Sequence, residues 1–229
     1  MAAAKKNTFE NLSVAETPLK LDENQIIALY MEDFMENGEE PKNVYSFCKK
    51  IGISDTDFYQ HFGSLQNLKQ DIWVKFFENA ILTLSQEQVY ATYTTKNKLL
   101  TLYYTLFEIL TLNRSYVLAT LKENNEGLNN LNQLKKMRHF FKDFVNNIIQ
   151  SDNPNNSKFK NATEPLYSEG SWVQFMFILK FWLEDNSKGF EKTDIIIEKS
   201  VNTVVDLLDT KPLDNIIDLG KFLWKERKM

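Results

Sequence analysis

Residues 26–68 read IIALYMEDFMENGEEPKNVYSFCKKIGISDTDFYQHFGSLQNL. Ile26, Tyr30 and Phe34 recur at four-residue steps, with Ile27 and Met31 beside them, so they line one face of a first helix. Asn37-Gly38 ends that helix, because glycine accepts the left-handed conformation of a helix C-terminus without a Cβ clash. Asn43 carries the side-chain oxygen of an N-cap. Val44, Phe47, Cys48 and Ile51 follow it at the spacing of a short second helix. Gly52 makes a turn. Ser54 caps a third, very short helix, with Asp55 and Asp57 in its first turn, where carboxylates suit the positive end of the helix dipole. Phe58 and Phe62 sit four apart and point back into the core. Gly63-Ser64 stops the helix, and Ser64 opens a long fourth one through Leu68, Ile72 and Phe76.

Two short helices joined by a tight glycine turn are the layout of a helix-turn-helix DNA reader. The same residues resemble the N-terminal domain of the TetR family of bacterial transcriptional regulators. The resemblance rests on Phe34 and Gly38, Asn43-Val44, Phe47-Cys48, Gly52-Ile53-Ser54, Phe58-Tyr59, Phe62 and the run from Ser64 to Leu68. It covers roughly a quarter of the chain; the remainder is similar only in being helical and of fitting length. The resemblance implies an all-α, TetR-like fold. A flexible arm at 1–20, with Lys5 and Lys6, precedes a three-helix helix-turn-helix domain at 21–68, and a larger helical effector-binding and dimerisation domain fills 69–229. It also implies a DNA-binding transcriptional regulator, a ligand-responsive repressor acting as a homodimer on double-stranded operator DNA. Two places depart from the family pattern. Leu65 stands where the family carries a lysine that reaches a phosphate, and Asp55 and Asp57 stand where small or cationic residues are usual.

The DNA-facing residues expected on this reading are Asn43, Lys49, Ser54, Asp55, Thr56, Asp57, Tyr59, Gln60 and His61. Phe58 and Phe62 turn inward, which turns Tyr59 toward a bound backbone, where its hydroxyl donates to a phosphate. Thr56, Asp57 and Gln60 point toward base edges. Asp57 either accepts from the amino group of cytosine or serves the helix dipole. His61 either donates to a phosphate or is simply exposed. Residues 20–75 hold six lysines, no arginine and ten carboxylates. Phosphate neutralisation on that balance is modest, so DNA affinity falls only gently with salt. Lys42, Lys49 and Lys50 flank the second helix. The alternative function is a carrier or interaction module of the same fold that has lost DNA binding; Leu65 and the acidic reading helix are the features that separate the two.

Beyond Leu68 the periodicity predicts helices to about residue 84 and then over 96–112, 115–122, 130–150, 164–185, 194–208 and 214–225, with 151–163 a long loop. Residues 172–183, WVQFMFILKFWL, are apolar almost all round, although a surface helix needs only one apolar face. The two readings are a central core helix and a helix shared between its own domain and a second subunit. In the resembled family the last two large helices build the dimer interface. That interface then takes Trp172, Phe177, Phe181, Trp182, Val201, Val204, Val205 and Leu208. Tyr103, Phe107, Phe141 and Phe175 are the candidate wall of a pocket for a small apolar effector, against the plainer reading that an aromatic stripe is core.

Only 7 Gly and 5 Pro in 229 residues favour long helices over a turn-rich β fold. One cysteine, Cys48, excludes an internal disulfide and fits a reducing cytoplasm. It reads as helix packing rather than a redox sensor. Residues 1–12 lack the apolar core of a signal peptide, and 172–183 is too short to span a bilayer, so no membrane partner is expected. The two histidines, His61 and His139, have no carboxylate or cysteine at metal-ligand spacing, and His139 reads as an ordinary half-buried residue. No nucleophile elbow, phosphate loop or dinucleotide fingerprint is present. The expectation is therefore a non-enzyme without metal or cofactor.

Overall fold

The first helix, α1 (Glu23–Asn37), begins at a reciprocal cap: the Asp22 carboxylate accepts from Gln25 N–H at 2.8 Å, and the Gln25 side chain accepts from Asp22 N–H at 2.8 Å. A computed structural model describes residues 20–122, 127–152 and 157–208, and all regular structure among them is helical. Gly38 ends α1 in the left-handed region. Helix α2 (Val44–Ile51) starts at Asn43, whose side-chain oxygen accepts from Ser46 N–H at 2.8 Å. Gly52, at φ +76°, ends it. Helix α3 (Asp55–His61) starts at Ser54, again through a reciprocal cap. The unit closes on Ile26, Tyr30, Phe34, Phe47, Cys48, Phe58 and Phe62, all buried. Tyr30 meets Phe47 edge-on at 5.6 Å, and Phe47 meets Phe58 at 6.2 Å.

The chain divides into two compact units, Met1–Ser64 and Leu65–Met229. Helix α4 (Leu65–Ser85) belongs to the second unit, with Leu68, Ile72, Trp73, Phe76 and Phe77 buried. A short 3₁₀ turn (Tyr90–Thr92) leads to α5 (Thr95–Leu112) and α6 (Arg114–Lys122). A 3₁₀ segment (Gly127–Leu134) then precedes α7 (Lys135–Asp152). Helix α8 (Ser157–Glu184), the 3₁₀ turn Lys188–Phe190 and α9 (Glu191–Leu208) follow. Helix α4 packs on α5 and α7, α7 on α8, and α9 on both α5 and α8.

Two expectations change. The helix expected over 130–150 is 3₁₀ up to Leu134, where Gln133 is buried and its amide donates to the carbonyls of Asn130 (2.9 Å) and Thr120 (3.3 Å) while accepting from Trp73 Nε1 (2.8 Å). Within the stretch expected to be a loop, 151–163, α7 runs to Asp152 and α8 begins at Ser157. The helix expected over 214–225 and the arm at 1–19 lie outside the described residues.

Two polar clasps fix the second unit. Lys136 donates to both oxygens of Asp71, at 2.8 and 2.9 Å, tying α7 to α4. At the end of α8, Arg114 donates to the carbonyls of Trp182 (3.0 Å), which also accepts from Asp185 N–H (3.2 Å), and of Asp185 (3.1 Å). Its guanidinium lies 4.3 Å from the Trp182 ring centre and 4.4 Å from that of Phe190. The buried Asp185 carboxylate accepts from Ser187 N–H (2.8 Å) and Oγ–H (2.7 Å) and from Thr193 N–H (3.0 Å) and Oγ1–H (2.7 Å). Burial alone raises its pKa, but these four donors outweigh it and hold the group at about 2.

A carboxylate held below its ordinary value of 3.8 stabilises the fold above that pH and loses its contribution as pH falls toward about 2. Asp185→Asn is expected to cost about 1.5–3 kcal/mol in urea unfolding at neutral pH. Its difference from the unsubstituted chain should narrow across that acid window; a pH-independent gap would contradict the account. In the first unit, nothing lies within 4 Å of a Cβ built on Gly52, so only its positive φ resists substitution. Gly52→Ala should therefore cost about 1–2 kcal/mol, measured by the same titration.

Candidate nucleic-acid interface

Helix α3 presents one face outward. Thr56, Tyr59 and Gln60 share it, since residues three and four apart are neighbours on a helix, and all three are exposed. Phe58 and Phe62 are buried on the other side and hold the register. Tyr59 is 55% exposed, with its ring edge-on to Phe58 at 5.6 Å, so the phenol is braced while its hydroxyl stays in solvent. His61 is exposed beside Phe62. Helix α2 adds exposed Lys49 and, one turn earlier, Tyr45, which is 64% exposed. Tyr45 was not among the expected contacts. Its signal was present in the sequence: it lies four residues before Lys49 and off the inner face of Val44, Phe47, Cys48 and Ile51.

The acidic residues of α3 are engaged within the unit. Asp57 Oδ2 accepts from Ser54 Oγ–H at 2.6 Å and from Ser54 N–H at 3.3 Å, while Asp57 N–H donates back to Ser54 Oγ at 3.1 Å. These bonds lower the Asp57 pKa. Its carboxylate thus serves the helix start. Ser54 and Asn43 likewise use their side-chain oxygens at caps. Asp55 is half-buried, and its carboxylate lies close enough to the Cys48 thiol to act on its titration. Burial, and then the Asp55 carboxylate, push that thiol up to about 11, which leaves almost no thiolate at neutral pH. Lys50 is paired with Asp33 of α1, a buried carboxylate that also accepts from Asn37 Nδ2 at 2.8 Å. Lys50 is therefore tied inside the unit, whereas Lys49 makes no ion pair among the described residues.

In the second unit, the expected interface residues fall into two groups. Trp172, Trp182 and Val201 are buried within the single chain, because the inner face of α8 and α9 packs on α5 and α7. Phe177 is 55% exposed, and Phe181 and Val204 are half-buried. Val173, 65% exposed, joins Phe177 one turn away. The side chains of Val205 and Leu208 lie outside the described residues. His139 is exposed, with Nε2 3.4 Å from Asp143 Oδ2, rather than half-buried.

The four residues expected to wall a pocket are packed against one another. Phe141 lies 6.1 Å from Tyr103 and 5.7 Å from Phe175, and Phe107 lies 5.9 Å from Phe175. All four are buried, and Tyr103 Oη donates to Ser171 O at 2.9 Å. They form the core, as the plainer reading had it. A cleft of about 290 Å³ opens elsewhere, lined among others by Tyr104, Phe107, Glu108, Trp182, Phe190 and Asp194, and of the four only Phe107 reaches it.

Among the described residues no three His, Cys, Asp or Glu side chains converge as a metal site requires, and no helix is long and apolar enough to cross a membrane. Residues 98–223 match the family described as Tetracyclin repressor-like, C-terminal domain, which is more than half of the chain and lies wholly beyond the stretch that carries the helix-turn-helix pattern. No curated protein matches the chain in sequence. The match over more than half of its length shows that the chain belongs to the TetR family of helix-turn-helix regulators.

Proposed function

We propose that this regulator is a repressor: a two-fold dimer that binds operator DNA through α2 and α3 and releases it when a small effector occupies the second unit. The observation that carries the reading is the outer face of α3. Thr56, Tyr59 and Gln60 are exposed there on a helix whose start is pinned by the Ser54–Asp57 cap. Tyr59, Tyr45, Lys49 and His61 then bind phosphates, which position the protein without reading sequence, and Thr56 and Gln60 read base edges. Asn43, Ser54, Asp55 and Asp57 shape the reader instead of touching bases. A cytoplasmic site of action goes with this function. An effector that binds one dimer arrangement better than the other shifts the population between them and so alters the spacing of the two reading heads.

Few cations face the duplex, so log affinity should fall with log salt with a slope on the order of −2 to −5 for a dimer. In mobility-shift assays on the promoter of its own gene, Lys49→Ala and Tyr59→Phe should weaken binding to all sequences alike, and Gln60→Ala should change sequence preference. A chain that ignores this DNA at low salt would instead be a carrier or interaction module of the same fold. Leu65 and the internal pairing of Lys50 favour that second reading.

Dimerisation rests on Val173 and Phe177, large apolar side chains exposed one turn apart on α8, with Phe181 half-buried beside them. A stable two-fold interface over this face should bury more than about 1,000 Å² in total. Phe177→Glu should yield a folded monomer by light scattering. An unsubstituted chain that is a folded monomer at micromolar concentration would remove the paired-reader mechanism.

A further inference from the structure

The cleft beside the α8–α9 turn has two kinds of wall. One is aromatic. Phe107 meets Trp182 at 6.0 Å, Trp182 meets Phe190 at 6.2 Å, and Tyr104 stands at the rim with its hydroxyl 3.5 Å from Asp194 O. The other is acidic: Glu108 comes from α5 and Asp194 from α9, and neither has a lysine or arginine at ion-pair distance among the described residues. The chain itself demonstrates what these rings accept, since the Arg114 guanidinium lies over Trp182 and Phe190. That cation is committed elsewhere, to the carbonyls of Trp182 and Asp185, and leaves the two carboxylates unneutralised. The field at Asp194 is negative: burial, then Asp185 and Glu191, raise its pKa.

An anion would be repelled from such a cleft. A neutral apolar molecule would strip water from two carboxylates without replacing it. A cation with an apolar substituent satisfies both walls, the charge at the carboxylates and the substituent on the rings. At about 290 Å³ the cleft lies at the small end of the range for small-molecule sites. We propose that it binds a small organic cation, an ammonium group bearing an aromatic or alkyl substituent, held by Glu108 and Asp194 and by the rings of Phe107, Trp182 and Phe190. As an effector site it rests on the repressor reading; as a binding site it stands without it.

The test is calorimetric titration of the full chain, without DNA, using benzyltrimethylammonium, its neutral isostere neopentylbenzene and benzoate. The cation should bind saturably, and the other two at least tenfold more weakly. Glu108→Gln combined with Asp194→Asn should weaken the cation at least tenfold, with circular dichroism confirming the fold. Glu108→Gln alone, a change at an exposed position, should weaken it severalfold, and Glu78→Gln on α4 should leave it unchanged. Absence of saturable cation binding, equal binding of neopentylbenzene, or indifference to the Glu108 and Asp194 substitutions would overturn the proposal. A mobility shift with and without the cation is read separately: a chain that binds the cation but no DNA keeps the cleft and loses the repressor.

Discussion

The ring of Phe141 on α7 touches rings that arrive on three other helices: Phe77 from α4, Tyr103 from α5, and Trp172 and Phe175 from α8. Each such pair contributes about 0.5–1.5 kcal/mol beyond the area it buries, and removing the shared ring would loosen all of them together. This one position sets how the second unit can be built. Among the described residues these rings pack on one another, and the cleft described above opens beside the α8–α9 turn. Phe107 belongs to both places, touching Phe175 in the core and Trp182 at the cleft. Whatever occupies the cleft therefore presses on a side chain that the core also holds.

The features that were legible in the sequence are local. A cap needs an oxygen side chain at one position and a donor two or three residues on, and a left-handed turn needs glycine. Asn43, Ser54, Gly38 and Gly52 were thus readable without knowing what packs on them. The aromatic spacing of α3 told inside from outside for Phe58, Phe62 and Tyr59 for the same reason. What stayed hidden depends on neighbours distant in sequence. Residues 172–183 are apolar all round, so no periodicity separates Trp172 and Trp182, which face the core, from Val173 and Phe177, which do not. The Arg114 clasp spans 68 residues to Trp182, and the Gln133 bond spans 60 to Trp73. The cleft is made by α5 and the α8–α9 turn together, and neither stretch alone suggests it.

Counting charges along residues 20–75 treats every carboxylate as a surface group, and the geometry does not. Asp33 neutralises Lys50, Asp55 acts on the Cys48 thiol, and Asp57 completes a cap. These acids are tied to the folding of the first unit, so the sign of its outer face is decided by the few groups left over. Lys49 counts for more on that face than the overall balance implies, and Lys50 for less.

Cys48 gives the first unit a chemical clock. It is the only cysteine in the chain, it is buried, and its thiol is held up at about 11. In the closed unit a maleimide or disulfide reagent meets neither access nor nucleophile. Labelling must wait for the unit to open, so its rate reports the opening equilibrium directly, as amide exchange does for a backbone. A second cysteine engineered on the surface can be labelled selectively in the native chain, with no need to remove the natural one.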